Sequence, residues 1–199
     1  MSNDDLPVGA KIKRLREGAS LTVEQLAASA GLSITELENI ENNMISPALG
    51  TLTKICDGLG VRLGHFFDQG PRKLFALVRA SDEKVATRFA SKSGTDYGFE
   101  YESLGSEKRQ RVMEPFFITM TPPSDPSGQP AMVENPGTHA GEEFIFVLEG
   151  EIQVDLEDQS FILKPGDSLY YDSSIPHRVL LHGDKPSKVL AVIHLPRGD

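Results

Sequence analysis

Apolar residues in the first third of the chain recur at helical spacing. Val8, Ile12 and Leu15 stand at positions i, i+4 and i+7, so they share one face of a helix. The same spacing predicts further helices that begin near residues 23, 34, 48 and 63. We therefore expect a compact bundle of five helices over about residues 8–67.

Two of these helices carry clear capping signals. Thr22 precedes a helix over Val23–Ala30 and has Gln25 three residues later, which is the spacing of a capping box. Gly31 tolerates the left-handed conformation that often ends a helix. Ser33 can then cap the next helix through its hydroxyl. These signals predict two short helices that are joined by a tight turn.

In the remainder of the chain, apolar and polar residues alternate with a period of two. Short runs rich in β-branched and aromatic residues are bounded by turn residues such as Pro165-Gly166-Asp167. The predicted strands cover residues 116–120, 144–148, 151–156, 161–163, 168–171, 178–181 and 189–195. Such a series is typical of an antiparallel sandwich or barrel, and the lack of helix-forming stretches between the runs excludes a βαβ fold. The fold class is therefore α+β with two domains.

The change of pattern falls at Asp68-Gln69-Gly70-Pro71, where glycine and proline both end helices. We predict a helical domain over residues 1–68, a linker over 69–73 and a β domain over 74–199. Within the second domain, residues 121–136 contain five of the 13 prolines, which predicts a long loop.

Composition limits the classes of function. The 199 residues include 20 Lys+Arg and 29 Asp+Glu, and the net charge of −9 argues against generic, charge-driven binding of nucleic acid. A single cysteine, Cys56, excludes a disulfide framework and a multi-cysteine zinc module. No apolar run approaches the ~20 residues of a membrane span, and the acidic N-terminus lacks the pattern of a signal peptide. We expect a soluble, cytoplasmic protein without a membrane partner.

A helix-turn-helix spacing runs through the predicted second and third helices. Ala27 is small where the helices must cross, Gly31 makes the turn, and Leu37 and Ile40 anchor the following helix from beneath. Together with the fourth helix and the apolar tail around Leu63, the stretch of residues 8–67 resembles the DNA-binding domain of the XRE family, which is lambda-repressor-like. The resemblance implies a five-helix bundle that binds an operator DNA.

The same resemblance assigns roles to individual residues. It implies an ion pair between Arg16, in the first helix, and Glu41, at the end of the recognition helix. The residues that it places against DNA are Ser33, Ile34, Thr35, Glu38 and Asn39. A basic cluster that includes Lys11, Lys13 and Arg14 lies in the first helix and is the candidate for phosphate contacts. Acidic residues at family positions that are often basic leave a second interpretation, a bundle that serves only folding or dimerisation.

The strongest motif of the chain begins at Asn135. His139 stands four residues before Glu143, six residues separate Glu143 from Gly150, and Pro176-His177 follows downstream. These segments resemble the two motifs of the cupin family. The resemblance implies a double-stranded β-helix, a jelly-roll barrel, from about residue 72 to 199. It also implies that His139, Glu143 and His177 meet inside the barrel as ligands for a divalent metal.

Two imidazoles and one carboxylate suit Fe, Mn, Ni or Zn and leave coordination positions open. The full cupin pattern has a further histidine two residues before His139, but this chain has Gly137 there, so the metal's identity stays open. A metal-free barrel whose histidines line a ligand pocket is the alternative. Tyr97 and Tyr101 are candidate ligand contacts at the barrel mouth, and the alternative is that they are partly exposed aromatic residues of a strand.

The whole chain resembles the XRE–cupin proteins, most of which are bacterial transcriptional regulators. The resemblance implies a homodimer or higher homo-oligomer that binds DNA, senses a small-molecule effector and has no catalytic residue. The rival is a metal-dependent cupin enzyme like hydroxypropylphosphonate epoxidase, an oxidase with a similar His/Glu/His site. That enzyme takes a phosphonate-binding lysine from its helical domain, and the matching stretch here, Gly18-Ala19-Ser20-Leu21, has no basic residue. The sequence therefore favours the regulator.

Overall fold

The helical part contains four α-helices within the part of the chain that the structure describes. A computed structural model describes residues 7–45, 47–67, 74–80, 86–88, 98–108, 110–122 and 136–196. The helices are α1 (Val8–Gly18), α2 (Val23–Ala30), α3 (Ile34–Glu41) and α4 (Leu49–Leu59). The predicted linker over residues 69–73 and the candidate residue Tyr97 lie outside the described residues.

The predicted caps of α2 and α3 are confirmed. The Thr22 hydroxyl accepts from the backbone N–H of Gln25 at 3.2 Å, and the Gln25 side chain accepts from the backbone N–H of Thr22 at 2.8 Å. Ser33 accepts from the backbone N–H of Glu36 at 3.1 Å. Gly31 ends α2 with a φ of 65°, in the left-handed region that glycine adopts without a steric penalty.

The predicted fifth helix is wrong as an α-helix. Residues Leu63–Phe66 form a single 3₁₀ turn, closed by hydrogen bonds from His65 to Arg62 and from Phe67 to Gly64. Four residues are too few for repeated i to i−4 bonds, and the i, i+3 spacing of Leu63 and Phe66 fits three residues per turn. Both side chains are buried, so this turn still closes the helical core.

Nine strands follow in two antiparallel sheets. The strands are β1 (Ala86–Arg88), β2 (Gly98–Ser103), β3 (Met113–Thr121), β4 (Glu142–Glu149), β5 (Glu151–Leu156), β6 (Gln159–Leu163), β7 (Ser168–Asp172), β8 (His177–His182) and β9 (Ser187–His194). One sheet has the order β1-β2-β3-β9-β4-β7, and the other has the order β6-β5-β8. All seven predicted runs coincide with strands, whereas β1 and β2 were not predicted.

The two sheets do not close into a barrel through hydrogen bonds between described strands, so the closed form of the predicted jelly-roll is not seen. An isolated bridge joins Gly137, in the loop before β4, to His177, the first residue of β8. Backbone bonds of 2.8 and 2.9 Å join these two residues in both directions. The fold is therefore an antiparallel two-sheet domain with its two motif segments tied together at one end.

Alternating residues of the strands form the core. Along β4, Glu143, Ile145 and Val147 are buried, while the intervening residues are half-buried or exposed. Phe144 and Phe146 are half-buried on the side of β4 opposite Glu143. No helix in the described part of the chain is long and apolar enough to span a bilayer.

The helical domain packs directly on the larger sheet. Phe67, which follows the 3₁₀ turn, contacts Phe116 of β3 edge-to-face, with ring centroids 4.8 Å apart. Both side chains are almost completely buried, and the buried apolar residues of the two domains belong to one cluster. The helical domain is thus fixed against the sheet that carries Glu143.

Candidate functional site

The predicted ion pair between Arg16 and Glu41 is confirmed. Nε of Arg16 donates to Oε1 of Glu41 at 2.6 Å, and Nη2 donates to Oε2 at 2.8 Å, a bidentate arrangement. Both residues are buried, and the third donor of the guanidinium, Nη1, reaches the carbonyl of Leu21 at 3.0 Å. The pair ties the end of α3 to α1 and so fixes the orientation of the predicted recognition helix.

The opposite face of α3 is open to solvent. Four of the five residues predicted to contact DNA from this helix are exposed, namely Ser33, Ile34, Thr35 and Glu38, while Asn39 is half-buried. Ile34 is 45% exposed. A recognition helix needs such a free face to enter the major groove.

Two of the basic candidates for phosphate contacts, Lys11 and Arg14, differ in their surroundings. Arg14 is exposed on α1. Lys11 is half-buried, and its ammonium donates to the carbonyl of Phe66 at 3.3 Å. The structure therefore gives Lys11 a role in holding α1 to the 3₁₀ turn, a role that the sequence did not indicate.

The structure brings His139, Glu143 and His177 together. His139 lies in the loop before β4, where its backbone N–H donates to the carbonyl of Ser173 at 2.9 Å. Glu143 is the second residue of β4, and His177 is the first of β8. One potential ligand atom from each residue lies within 4.8 Å of the others, and all three residues are 6% exposed.

In both histidines, the two ring nitrogens have different surroundings. Nδ1 of His139 lies 3.2 Å from the carbonyl of Ala140, and Nδ1 of His177 lies 2.9 Å from the carbonyl of Ile175. Because a carbonyl only accepts, each Nδ1 carries a proton and donates. Each Nε2 therefore faces Glu143 as the atom that is free to bind a proton or a cation.

Glu143 pairs unequally with the two rings. Its Oε1 lies 2.7 Å from Nε2 of His139 but 3.9 Å from Nε2 of His177, which is beyond hydrogen-bonding distance. At 2.7 Å, two lone pairs would repel, so either a proton or a metal ion has to lie between His139 and Glu143. The donor set, two imidazole nitrogens and one carboxylate, fits a divalent metal of the Fe, Mn, Ni or Zn kind.

The electrostatics of the site follow from burial and from these contacts. Burial disfavours the charged form of His139, but the hydrogen bond to Glu143 and the carboxylate charge outweigh it and raise the pKa of His139. Burial also disfavours the Glu143 carboxylate, but its bonds with His139 and Tyr171 lower the pKa of Glu143 on balance. Burial lowers the pKa of His177, so this ring is neutral near pH 7. The site thus holds one ion pair and one neutral imidazole with an open Nε2.

Tyr171 is a site residue that the sequence did not reveal. It lies opposite Glu143 in the register of β4 and β7, and its hydroxyl donates to Oε2 of Glu143. Burial and the adjacent carboxylate raise the pKa of Tyr171 far above its ordinary value, so the hydroxyl keeps its proton. A hydrogen bond of this kind orients a metal-binding carboxylate.

One face of α4 lies beside the same site. Gly50 faces the two rings, since a Cβ atom at this position would lie 3.5 Å from Nε2 of His177 and 3.9 Å from Nε2 of His139. Lys54, one turn later, places its Nζ 3.5 Å from where a Cβ of Gly137 would be. Lys54 therefore approaches the position at which the cupin pattern has its further histidine.

A small cavity of about 80 Å³ separates α4 from the sheets. Its polar end contains Glu143 and His177, and its wall includes Tyr101, one of the two predicted ligand contacts. Tyr101 is fully buried, and its hydroxyl donates to the carbonyl of Pro47 at 3.1 Å, just before α4. Tyr101 thus lies in the cavity wall and holds the start of α4 at the same time.

Comparison with known protein families agrees with both halves of this description. A helix-turn-helix model matches residues 12–66, and a cupin domain model matches residues 127–193. The chain is therefore a helix-turn-helix domain joined to a cupin domain. The two matches lie on either side of the linker predicted from the sequence.

Individual relatives match this chain over most of their length. The HTH-type transcriptional regulator PuuR of Escherichia coli is 26% identical over 177 residues, which is 89% of each chain. The (S)-2-hydroxypropylphosphonic acid epoxidase of Streptomyces wedmorensis is 25% identical over 166 residues, 81% of this chain and 74% of the epoxidase. A crystal structure of an HTH_3 family transcriptional regulator from Vibrio cholerae has the same fold, with a TM-score of 0.59, 23% identity and 95% coverage of both chains. The chain therefore has an XRE-type helix-turn-helix domain and a cupin domain, and it is similar over most of its length to an HTH-type transcriptional regulator.

Proposed function

We propose that this protein is a transcriptional regulator that binds operator DNA through α2 and α3 and senses a small molecule in its cupin domain. The observation that carries the proposal is the bidentate pair between Arg16 and Glu41, which fixes α3 from beneath while its outer face stays exposed. That exposed face carries Thr35 and Glu38, polar side chains of the kind that can hydrogen-bond base edges in the major groove. The proposal includes a cytoplasmic location in a bacterial cell, where the operator DNA would be.

A dimer is the working form in this proposal. A single recognition helix covers one half-site, and two helices about 34 Å apart can enter successive major grooves. Thr35, Glu38 and Asn39 are proposed as base contacts, and Ser33 and Arg14 as phosphate contacts. Glu38 suits the amino group of a cytosine, since a carboxylate can accept from it in the major groove. We further propose that the two sheets act as the two sides of a cupin jelly-roll, with the domain boundary at residues 69–73.

The His139–Glu143–His177 group is proposed to hold one divalent metal. When bound, the metal would offer open coordination positions to an effector, while Tyr171 and the two backbone carbonyls would keep the three ligands oriented. An effector acts on DNA binding only through its different affinity for two arrangements of the dimer. The role of the chain's own residues is thus to hold the metal and the effector next to α4.

DNA binding is tested by fluorescence anisotropy with the promoter region of the protein's own gene and with a random duplex of equal length. We expect tighter binding to the promoter at every salt concentration. The slope of log K against log salt should be shallow, because each phosphate contact contributes only about 0.9 to it and few basic residues are available. Equal binding to the two duplexes at all salt concentrations would reject the regulator.

A double variant sharpens the assay. Thr35→Ala with Asn39→Ala should relax the preference for the promoter duplex by about 1–3 kcal/mol per lost base contact, with random binding unchanged. Arg14→Ala should instead weaken binding to both duplexes equally and reduce the slope of log K against log salt by about 1. If Arg14→Ala altered the preference and the double variant did not, the proposed orientation of α3 would be wrong.

The rival function is a metal-dependent enzyme like the Streptomyces epoxidase. It predicts turnover, so oxygen consumption with a hydroxylated phosphonate is the direct test. A regulator gives no consumption with Fe(II) loaded, whereas consumption that disappears in the Glu143→Gln variant would establish the enzyme. This result would not depend on the outcome of the DNA assay.

A further inference from the structure

Strand β6 forms an uncovered edge of the smaller sheet. The order of this sheet is β6-β5-β8, so β6 and β8 are its outer strands. β8 has a further contact on its outer side, the bridge from His177 to Gly137. β6 has no strand partner on its outer side among the described residues. The sheet can therefore be extended at β6 by another strand.

The residues of β6 are accessible to solvent although three of the five are apolar. Four of them are exposed, and Leu163 is half-buried. Phe161 is 37% exposed and Ile162 is 50% exposed. Phe161 lies opposite Val154 of β5, which is fully buried, so its ring continues the buried face of the sheet beyond the part that the described residues cover. Pairing at this edge would remove apolar surface from water, which is favourable.

The strand also lacks the features that usually keep an edge from pairing. Proteins protect exposed edges with lysine, proline or a β-bulge. Gln159–Leu163 contains no charged residue and no proline, and its register with β5 runs without a shift. The strand itself therefore does not oppose pairing with another strand.

The free backbone groups of β6 belong to Ser160 and Ile162. The turn Glu157-Asp158 joins β5 to β6, with Leu156 opposite Gln159. In a two-residue hairpin, these flanking residues exchange hydrogen bonds, and bonded and unbonded pairs then alternate along the strands. Every second residue from Gln159 onward therefore bonds to β5, whereas the N–H and C=O groups of Ser160 and Ile162 point to the outer edge.

Charge favours one register for a second copy of the strand. With antiparallel strands and a two-fold axis at Phe161, Ser160 stands opposite Ile162 of the second copy, and their free backbone groups bond to each other in both directions. The same register puts Lys164 opposite Asp158 of the second copy, and the symmetry repeats this pair of opposite charges. The two neighbouring registers that keep the backbone bonds, shifted by two residues either way, put Asp158 opposite an uncharged residue. Of these three registers, the one centred on Phe161 forms ion pairs at both ends.

Both charged residues can reach a second copy. Asp158 is exposed in the turn before β6. The side chain of Lys164 is 65% exposed, and its Nζ lies 3.7 Å from Oε1 of Glu151, which is a weak contact at a solvated surface. Within one chain, Asp158 and Lys164 stand at opposite ends of β6, about 20 Å apart at about 3.3 Å per residue. An attraction between these two residues therefore has to come from two chains.

We propose that a second copy of this chain pairs with the outer edge of β6, antiparallel and centred on Phe161, so that two three-stranded sheets join into one of six strands. The inference rests on the proposed function, which needs a dimer, and names the surface that forms it. β8, which begins with His177, is two strands from this edge, so the joined sheet would connect the two candidate metal sites. A five-residue edge is small beside the ~1,200–2,000 Å² of a standard interface, so we expect a dimer with a Kd in the micromolar range.

The experiment is sedimentation velocity of the full chain over a range of concentrations, without DNA or metal. We expect a monomer–dimer equilibrium. Asp158→Lys and Lys164→Glu each turn both ion pairs of the dimer into like-charge pairs, so each variant alone should raise the dimer Kd about tenfold. An equal mixture of the two variants should return the Kd close to that of the unchanged chain, because both pairs between unlike chains again have opposite charges.

Matched controls and a cross-link test the position of the interface. Asp184→Lys and Lys185→Glu, on the exposed turn after β8, should leave the dimer Kd unchanged. In Phe161→Cys, the axis brings the new thiol opposite its own copy, at a Cα distance of about 4.5 Å that a disulfide can span. Ser160→Cys has its equivalent only on the diagonal, about 7–8 Å away. Oxidation should therefore give a covalent dimer of the first variant and not of the second, and Cys56 is buried.

A monomer at every concentration, or a dimer whose Kd neither charge reversal changes, would overturn the inference. A mixture that dimerises no better than either variant alone, or a cross-link in Ser160→Cys instead of Phe161→Cys, would overturn the register. Specific DNA binding by a chain that fails these tests would reject this surface alone and leave the regulator intact. A dimer with the expected variant effects, but with equal binding to promoter and random duplex, would instead reject the proposed regulator and leave the surface.

Discussion

Each domain buries a carboxylate beside a cationic side chain, but the two groups differ in whether all their polar atoms have hydrogen-bond partners. In the helical domain, Glu41 has both oxygens bonded to Arg16, and the guanidinium also reaches a backbone carbonyl. In the cupin domain, Glu143 bonds to His139 and Tyr171, but Nε2 of the neighbouring His177 has no partner within hydrogen-bonding distance among the described residues. One group is complete, and the other has an open position.

The difference separates a structural role from a binding role. A buried charge is costly unless its partners are in place, so a complete pair indicates that the fold itself is what the pair maintains. A group that is equally buried but has a polar atom without a partner indicates that a bound ion or ligand supplies the missing partner. The two groups are equally buried and similarly charged. Whether their polar atoms all have hydrogen-bond partners is therefore what distinguishes a structural role from a binding role.

The largest expected effect comes from breaking the complete pair. Glu41→Ala leaves the Arg16 guanidinium buried without its carboxylate, which should lower the free energy of unfolding by about 3–5 kcal/mol. Urea denaturation followed by circular dichroism measures this loss. Glu41→Gln serves as the companion variant, because it keeps the size of the side chain and removes only the charge. A loss below about 1 kcal/mol in both variants would show that the pair is not a structural element.

The next largest effect is stabilisation of the chain by a metal bound to His139, Glu143 and His177. At a free Ni²⁺ concentration 100-fold above Kd, binding should stabilise the native chain by about 2.7 kcal/mol. Glu143→Gln removes the charge that offsets the cation, so its stabilisation should be largely lost while the unliganded fold persists. Thermal unfolding with and without Ni²⁺ gives both quantities. Equal stabilisation of variant and native chain would remove Glu143 from the ligand set.

Two adjacent tyrosines allow a finer test of the same site. Tyr171 donates to the buried Glu143, and Tyr170 donates to the exposed Glu142, so the two bonds differ mainly in burial. Tyr171→Phe should weaken Ni²⁺ binding about 10–100-fold, the usual effect of removing the hydrogen bond that orients a metal ligand. Tyr170→Phe should leave the affinity unchanged. The same change in both variants would mean that Tyr171 does not position Glu143.

The sequence predicted the Arg16–Glu41 pair and the members of the His139–Glu143–His177 group. It did not predict the residues that surround them. Fixed motif spacing identified Arg16, Glu41, His139, Glu143 and His177, because each motif resembles a family whose geometry is tied to its spacing. Local signals also predicted the start of α2 and α3, since a cap depends on residues only three apart. Where the information was local or carried by a motif, the sequence was sufficient.

The site residues that the sequence missed depend on contacts between distant parts of the chain. Tyr171 reaches Glu143 only because β7 pairs with β4 in one register, and the sequence of β7 alone does not identify β4 as its partner strand. Gly50 and Lys54 reach the site only because α4 packs on the sheets, and helical spacing alone gives no sign of that docking. The 3₁₀ turn at Leu63–Phe66 was mistaken for a helix because the two structures bury apolar residues at similar spacing.

The smallest expected effect completes the comparison within the helical domain. Glu17 also lies next to Arg16, with its Oε1 3.9 Å from Nη2, but its side chain is 58% exposed. An exposed pair at this distance is screened by water and salt, so Glu17→Ala should change the free energy of unfolding by no more than about 1 kcal/mol. The same urea denaturation as for Glu41→Ala measures it, and raising the salt concentration should remove what little effect remains. A loss as large as that of Glu41→Ala would mean that proximity to Arg16, rather than burial and bidentate bonding, sets the strength of the pair.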